Sequence, residues 1–93
     1  MRDIVLDICA FDTKAAMHQY LKNQLEFSDY YGANLDALYD ELTSTTENTA
    51  LTLRYAAKPM GEMAHYLPRV LEVFQDAAQE NYHLSVNYEE IEQ

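Results

Sequence analysis

Apolar positions along this chain recur with two periods, and the change from one to the other lays out the elements. Residues 4–11, IVLDICAF, form a short apolar run with β-branched Ile4 and Val5, broken only by Asp7. A run apolar on both faces predicts a strand in the centre of a sheet. Asp12 or Thr13 then caps a helix to about Leu25, with Met17, Tyr20, Leu21 and Leu25 as its buried stripe. Residues 26–33 are a loop rich in aromatic and acidic side chains. From Leu35 the spacing is helical again, with Leu35, Leu38 and Leu42 on one face, to about Ser44. Residues 45–49 are polar and connect to residues 50–55, where Leu51, Leu53 and Tyr55 alternate as in a second strand. Residues 56–67 carry no clear period: Pro59 can open a short helix, and Gly61 weakens it. Pro68 can likewise open the last long helix, whose stripe is Leu67, Val70, Leu71, Phe74, Ala77 and Ala78, ending near Asn81. Residues 82–88 alternate Tyr82, Leu84, Val86 and Tyr88 as a third strand, and residues 89–93 form a frayed tail.

Strands separated by helices imply crossover connections, hence an α/β fold with a parallel sheet. Three strands cannot cover themselves, so the helices must supply the other layers. Ninety-three residues make one small domain, residues 1–93.

The stretch 30–43, YYGANLDALYDELT, departs from this regularity. Gly32 can take φ > 0 and turn the chain sharply. Asn34 can cap the helix that follows. Asp36 and Asp40 are four apart, stacked on one face with Tyr39 and Thr43 beside them. Like charges at that spacing are mildly destabilising. Asp36 gains from the helix dipole in the first turn, and Asp40 gains much less. Such a local conflict marks either a functional face or a plain solvated acidic one.

Charge changes the picture. Sixteen acids face six bases, a formal net charge of −10. No base falls between Lys22 and Arg54, whereas Glu26, Asp29, Asp36, Asp40, Glu41 and Glu47 all do. Direct binding of nucleic acid needs clustered Lys and Arg, so the balance argues against it and favours a basic partner drawn by long-range attraction. A single cysteine, Cys9, excludes an internal disulfide. The N-terminus is too short and acidic for a signal peptide, and no stretch approaches a membrane span, which points to the cytoplasm. His18, His65 and His83 are isolated, with no His or Cys at metal-ligand spacing, and each reads as a surface or half-buried side chain. No glycine loop cradles phosphate, and no cofactor is expected. An enzyme would have to rest on Asp36 and Asp40 as paired carboxylates in a desolvated pocket; an open helix face does not favour that.

The stretch 30–43 resembles the signature of the barstar family, intracellular inhibitors of barnase-type ribonucleases, in Tyr30, Tyr31, Gly32, Asn34, Leu35, Asp36, Ala37, Leu38, Asp40, Leu42 and Thr43. A second block, VLEVFQDA at residues 70–77, resembles the family's last helix. The resemblance runs in order over nearly the whole chain. It implies a small three-stranded parallel sheet packed with about three to four helices. It also implies a stoichiometric mechanism without catalysis: acidic side chains take the place of RNA phosphates in the cationic active site of a basic extracellular or toxin ribonuclease, one inhibitor per nuclease.

By the same resemblance Asp40 is the main phosphate mimic and Asp36 accepts bonds beside it. Tyr30 and Tyr31 pack on the nuclease or on the protein's own core, and Gly32 lets the loop approach closely. Asn34 and Leu35 make edge contacts, Tyr39, Thr43 and Ser44 extend the face, and Glu47 adds charge. Asp76 matches a family glutamate that forms a peripheral salt bridge. Tyr39 and Thr45 stand where the family pattern has tryptophan, Ala33 replaces an acidic residue, and Glu41 and Tyr82 stand in place of cysteines. The alternatives are an acidic immunity or adaptor protein of the same fold for another basic partner, a small enzyme using the two aspartates, and a structural homo-oligomer.

Overall fold

The second strand, not the first, occupies the middle of the sheet. The computed structural model describes residues 1–92. In chain order these form β1 (Arg2–Asp7), α1 (Lys14–Leu25), α2 (Leu35–Thr43), β2 (Thr49–Ala56), α3 (Met63–Glu80) and β3 (Leu84–Ile91). The sheet is parallel throughout, in the order β1-β2-β3. This is the α/β arrangement that the resemblance implied, three parallel strands packed with three helices among the described residues.

The expectation of a central first strand over residues 4–11 fails for two reasons. Ile4 and Leu6 point to the core, while Val5, between them, is 57% exposed, so the apolar run has only one buried face. The chain also turns away at Asp7, whose Oδ1 accepts from the Cys9 N–H at 3.1 Å. Pairing with β2 sets Ile4 beside Leu51 and Leu6 beside Leu53, and β3 adds Leu84 beside Thr49 and Val86 beside Leu51. That inner face joins Met17 and Leu21 of α1, Leu38 and Leu42 of α2, and Val70, Phe74 and Ala77 of α3 in one core. The outer face carries mostly polar and small side chains, with Val5 among them. Across it Arg54 of β2 pairs with Asp7 of β1 and Glu89 of β3, both at 3.3 Å.

Pro68 does not open the last helix. α3 begins at Met63 and runs through it as one helix of 18 residues. A proline lacks the amide that would bond one turn back, and a helix this amphipathic carries that single loss through the burial of Met63, Leu67, Val70 and Phe74. Its start is set elsewhere. Gly61 takes φ 62°, and a Cβ there would lie 2.6 Å from the Asp12 carbonyl oxygen, so only glycine lets the two loops meet. Glu62 N–H donates to that carbonyl at 2.8 Å, and Glu62 Oε1 accepts from the Lys14 N–H at 2.8 Å. Pro59 lies in the loop before this junction and opens no helix.

The third strand also moves. It starts at Leu84, leaving Tyr82 outside and 90% exposed, and continues to Ile91, which pairs with Ala56. Residues 89–91, expected to fray, are held by that ladder and by the Arg54–Glu89 pair; Gln93, the end of the expected tail, lies outside the described residues. No helix among the described residues is long and apolar enough to cross a membrane.

Candidate partner-binding ridge

α2 forms because its signals are local. Asn34 is extended at φ −140°, and its Oδ1 accepts from the Ala37 N–H at 2.8 Å, satisfying one of the open amides of the first turn. Leu38 and Leu42 are buried and Leu35 is half-buried, which leaves Asp36 and Asp40 outward and exposed. The left-handed residue of the preceding loop is Ala33, at φ 53°, rather than Gly32. At Gly32 the matter is space instead: a Cβ there would sit 3.2 Å from Asn34 Nδ2, a tight contact to which the capping side chain would have to yield. The loop therefore holds a mildly strained alanine directly before the cap.

Both ends of α2 are anchored by side chains from distant parts of the chain. At the N-terminal end His18 is 1% exposed, not a surface histidine. Its Nδ1 lies 2.6 Å from the Tyr31 hydroxyl and its Nε2 2.7 Å from the Tyr66 hydroxyl. A neutral imidazole has one N–H donor and one bare acceptor, so one tyrosine accepts from the ring and the other donates to it. Burial lowers the pKa of His18 below its ordinary value, which favours that neutral form. Burial raises both hydroxyls, and at Tyr31 the fields of Tyr66 and Glu41 add to it. The chain thus ties α1, the loop and α3 together, and Tyr31, a candidate contact residue, is part of this tie. Its ring also packs on Phe27 at 4.8 Å between centroids. At the other end Asn81, 7% exposed, donates from Nδ2 to the carbonyls of Leu42 at 3.0 Å and Thr45 at 2.9 Å. The Leu42 carbonyl is among those that a helix end leaves open, and Thr45 lies just past the C-cap.

The other candidate residues divide by what they already do. Tyr30 is 97% exposed beside the ridge. Tyr39 is half-buried and packs against the core. Thr43 Oγ1 donates to the Tyr39 carbonyl at 2.9 Å, and Ser44 Oγ donates to the Asp40 carbonyl at 2.6 Å. Their protons are used inside the helix, and their oxygens remain as acceptors. Glu47 is exposed, 3.9 Å from Arg2 Nε. Asp76 is exposed on α3; its field raises the Tyr88 hydroxyl, after burial, the larger cause.

Among the described residues no cation pairs with Asp36 or Asp40; the ion pairs join Arg2 to Glu47, Lys22 to Asp29, and Arg54 to Asp7 and Glu89. Nor do the described residues contain a group of three or more metal-ligating side chains. Sequence reasoning missed His18, Tyr66 and Asn81. Their polar character in otherwise apolar helical stripes was the only available signal.

The comparisons with known proteins agree with this arrangement. The chain matches the family described as Barstar (barnase inhibitor) over residues 1–89. It is 40% identical over 81 residues to the Bacillus subtilis (strain 168) protein named "Putative ribonuclease inhibitor YrdF", covering 86% of this chain and 89% of that one. With the fold, the capped helix and both matches in agreement, the chain belongs to the barstar family.

Proposed function

We propose that this protein is a stoichiometric inhibitor of a barnase-type ribonuclease, acting in the cytoplasm as a single unit of residues 1–93 without catalysis or cofactor. The observation that carries this reading is the pair of exposed carboxylates, Asp36 and Asp40, which make no ion pair among the described residues, on a helix whose preceding loop and far end are both held in place. Carboxylates not already neutralised can take up a partner's Arg, Lys and protonated His. Anchoring lowers the entropy lost when they do so. A ribonuclease must line its active site with such cations to hold RNA, so a rigid acidic ridge competes for the same groups.

In this reading Asp40 enters the cationic cleft and Asp36 accepts bonds at its edge. Tyr30 lies against the nuclease surface, with Gly32, Asn34 and Leu35 at the near edge and Tyr39, Thr43, Ser44 and Glu47 at the far one. Tyr31 acts through the loop it braces. Asp76 adds a peripheral charge from α3. The partner is a basic extracellular or toxin ribonuclease bound one to one, with no direct contact to nucleic acid or membrane. The test is titration of the pure chain against a panel of barnase-type ribonucleases with an RNA cleavage readout. Full inhibition at one equivalent supports the reading; full activity of every nuclease at excess inhibitor removes it.

A further inference from the structure

The six bases of this chain fall into two groups. Arg2, Lys22 and Arg54 lie 3.3–3.9 Å from carboxylates. Lys14, Lys58 and Arg69 have no such ion pair among the described residues, in a protein where acids outnumber bases. Lys58 stands apart in the loop after β2. Lys14 and Arg69 line one groove of about 370 Å³ together with Tyr66 and the tip of α2, including Asp36. The Lys14 ammonium lies 5.2 Å from the Tyr66 ring centroid, where cation–π attraction favours it. Arg69 follows Tyr66 by three residues on α3, hence on a neighbouring part of the helix surface. Tyr66 itself is fixed by His18. The two cations therefore flank a rigid floor at the margin of the acidic ridge.

A uniformly basic partner would be attracted by Asp36 and Asp40 and repelled one step away by Lys14 and Arg69. Like charges brought together at an interface discriminate against wrong partners. We infer that the cognate nuclease presents a carboxylate to the Lys14–Arg69 groove, beside the cationic cleft that receives Asp40. The surface is then read in two signs: acids in the centre and bases at one margin. Arg69 suits a carboxylate because its planar fork can donate two parallel bonds, and Lys14 adds a point charge. The inference rests on the inhibitor reading above and narrows it to nucleases that carry an acid at the rim of the active site.

The experiment uses the full chain and the nuclease from the panel that it inhibits. Native protein, Lys14→Gln/Arg69→Gln, Arg69→Gln alone and Asp40→Ala are compared by inhibition titration at low salt, with thermal melts of each. Neutralising both bases should weaken binding at least tenfold. Replacing the nuclease's rim carboxylate by its amide should remove most of that difference. Should the double variant melt at a lower temperature than native, Arg69→Gln carries the same test and should weaken binding about threefold, in the range of an exposed ion pair. Binding that is unchanged or tighter without the two bases, while Asp40→Ala still loses affinity, overturns this inference and leaves the inhibitor reading intact. A native chain that inhibits no nuclease, or an Asp40→Ala variant that inhibits as well as native, overturns the inhibitor reading and this inference with it.

Discussion

Two sets of carboxylates on this molecule are employed in opposite ways. On the outer face of the sheet, Asp7 and Glu89 flank Arg54, and Asp7 also takes the Cys9 amide. Those hydrogen bonds, chiefly the backbone one, lower the pKa of Asp7. On α2, neither Asp36 nor Asp40 makes an ion pair among the described residues, and only Asp36, in the first turn, gains from the helix dipole. The first set is satisfied within the fold; the second is not. An acid's formal charge says little about its role until its neighbours are known.

The largest effect should come from Asp40. Truncating an aspartate at the centre of such an interface costs up to about 8 kcal/mol, a scale set by the barnase–barstar pair itself and borrowed by family membership. Asp40→Ala should lose several kcal/mol of that order by isothermal titration. Its melting temperature should hold or rise slightly, because a repulsive i, i+4 pair is relieved. A comparable loss of fold stability would show that the ridge acids are structural after all.

Association should slow by more than tenfold between low and high salt, since screening acts on unpaired acids first. A flat response in stopped-flow mixing would erase the contrast between the two sets.

His18 tests the anchoring of the ridge. His18→Leu leaves two tyrosine hydroxyls without their partner and should cost about 2–3 kcal/mol in urea unfolding. The pH dependence has a definite sign. The pKa of His18 in the folded state lies below the unfolded value of 6.5. Between the two, the unfolded chain binds the extra proton, so stability is full above 6.5 and declines as pH falls through that window. The groups facing the ring are the Tyr31 and Tyr66 hydroxyls, with the Lys14 ammonium beyond Tyr66. Over that window the His18→Leu variant should lose this part of the slope.

Asp7→Asn should give the mirror image of Asp40→Ala. Stability drops by less than about 1 kcal/mol, as for a half-exposed pair, and affinity for the nuclease does not change. The smallest effect belongs to Ala33→Gly. It relieves a left-handed alanine but adds freedom to the unfolded chain, for a net gain of only a few tenths of a kcal/mol. A slightly higher melting temperature is expected, and a lower one would refute it.

These contrasts also explain what the sequence could and could not disclose. Helix α2, its Asn34 cap and its outward aspartates were legible because cap, period and turn all lie within a dozen residues. The parallel order of elements followed from strands alternating with helices. The position of β1 at an edge was not legible, since its apolar run is equally consistent with either place until β2 and β3 are paired. Pro68 reads locally as a beginning, yet α3 starts earlier because Gly61 and Glu62 dock on the Asp12 loop. His18 looked isolated because its partners are 13 and 48 residues away. Asn81 was read as a helix end, which it is, but its grip on α2 depends on residues 36 and 39 positions earlier.

The bond from the Lys14 amide to Glu62 spans 48 residues, so the opening turn of α1 is completed by a side chain synthesised long after it. A fragment ending before Glu62 would retain the Thr13 cap but lack this second one. Deuterium uptake at the Lys14 amide then becomes a gauge of whether the start of α3 has docked, independent of how well the middle of α1 is formed.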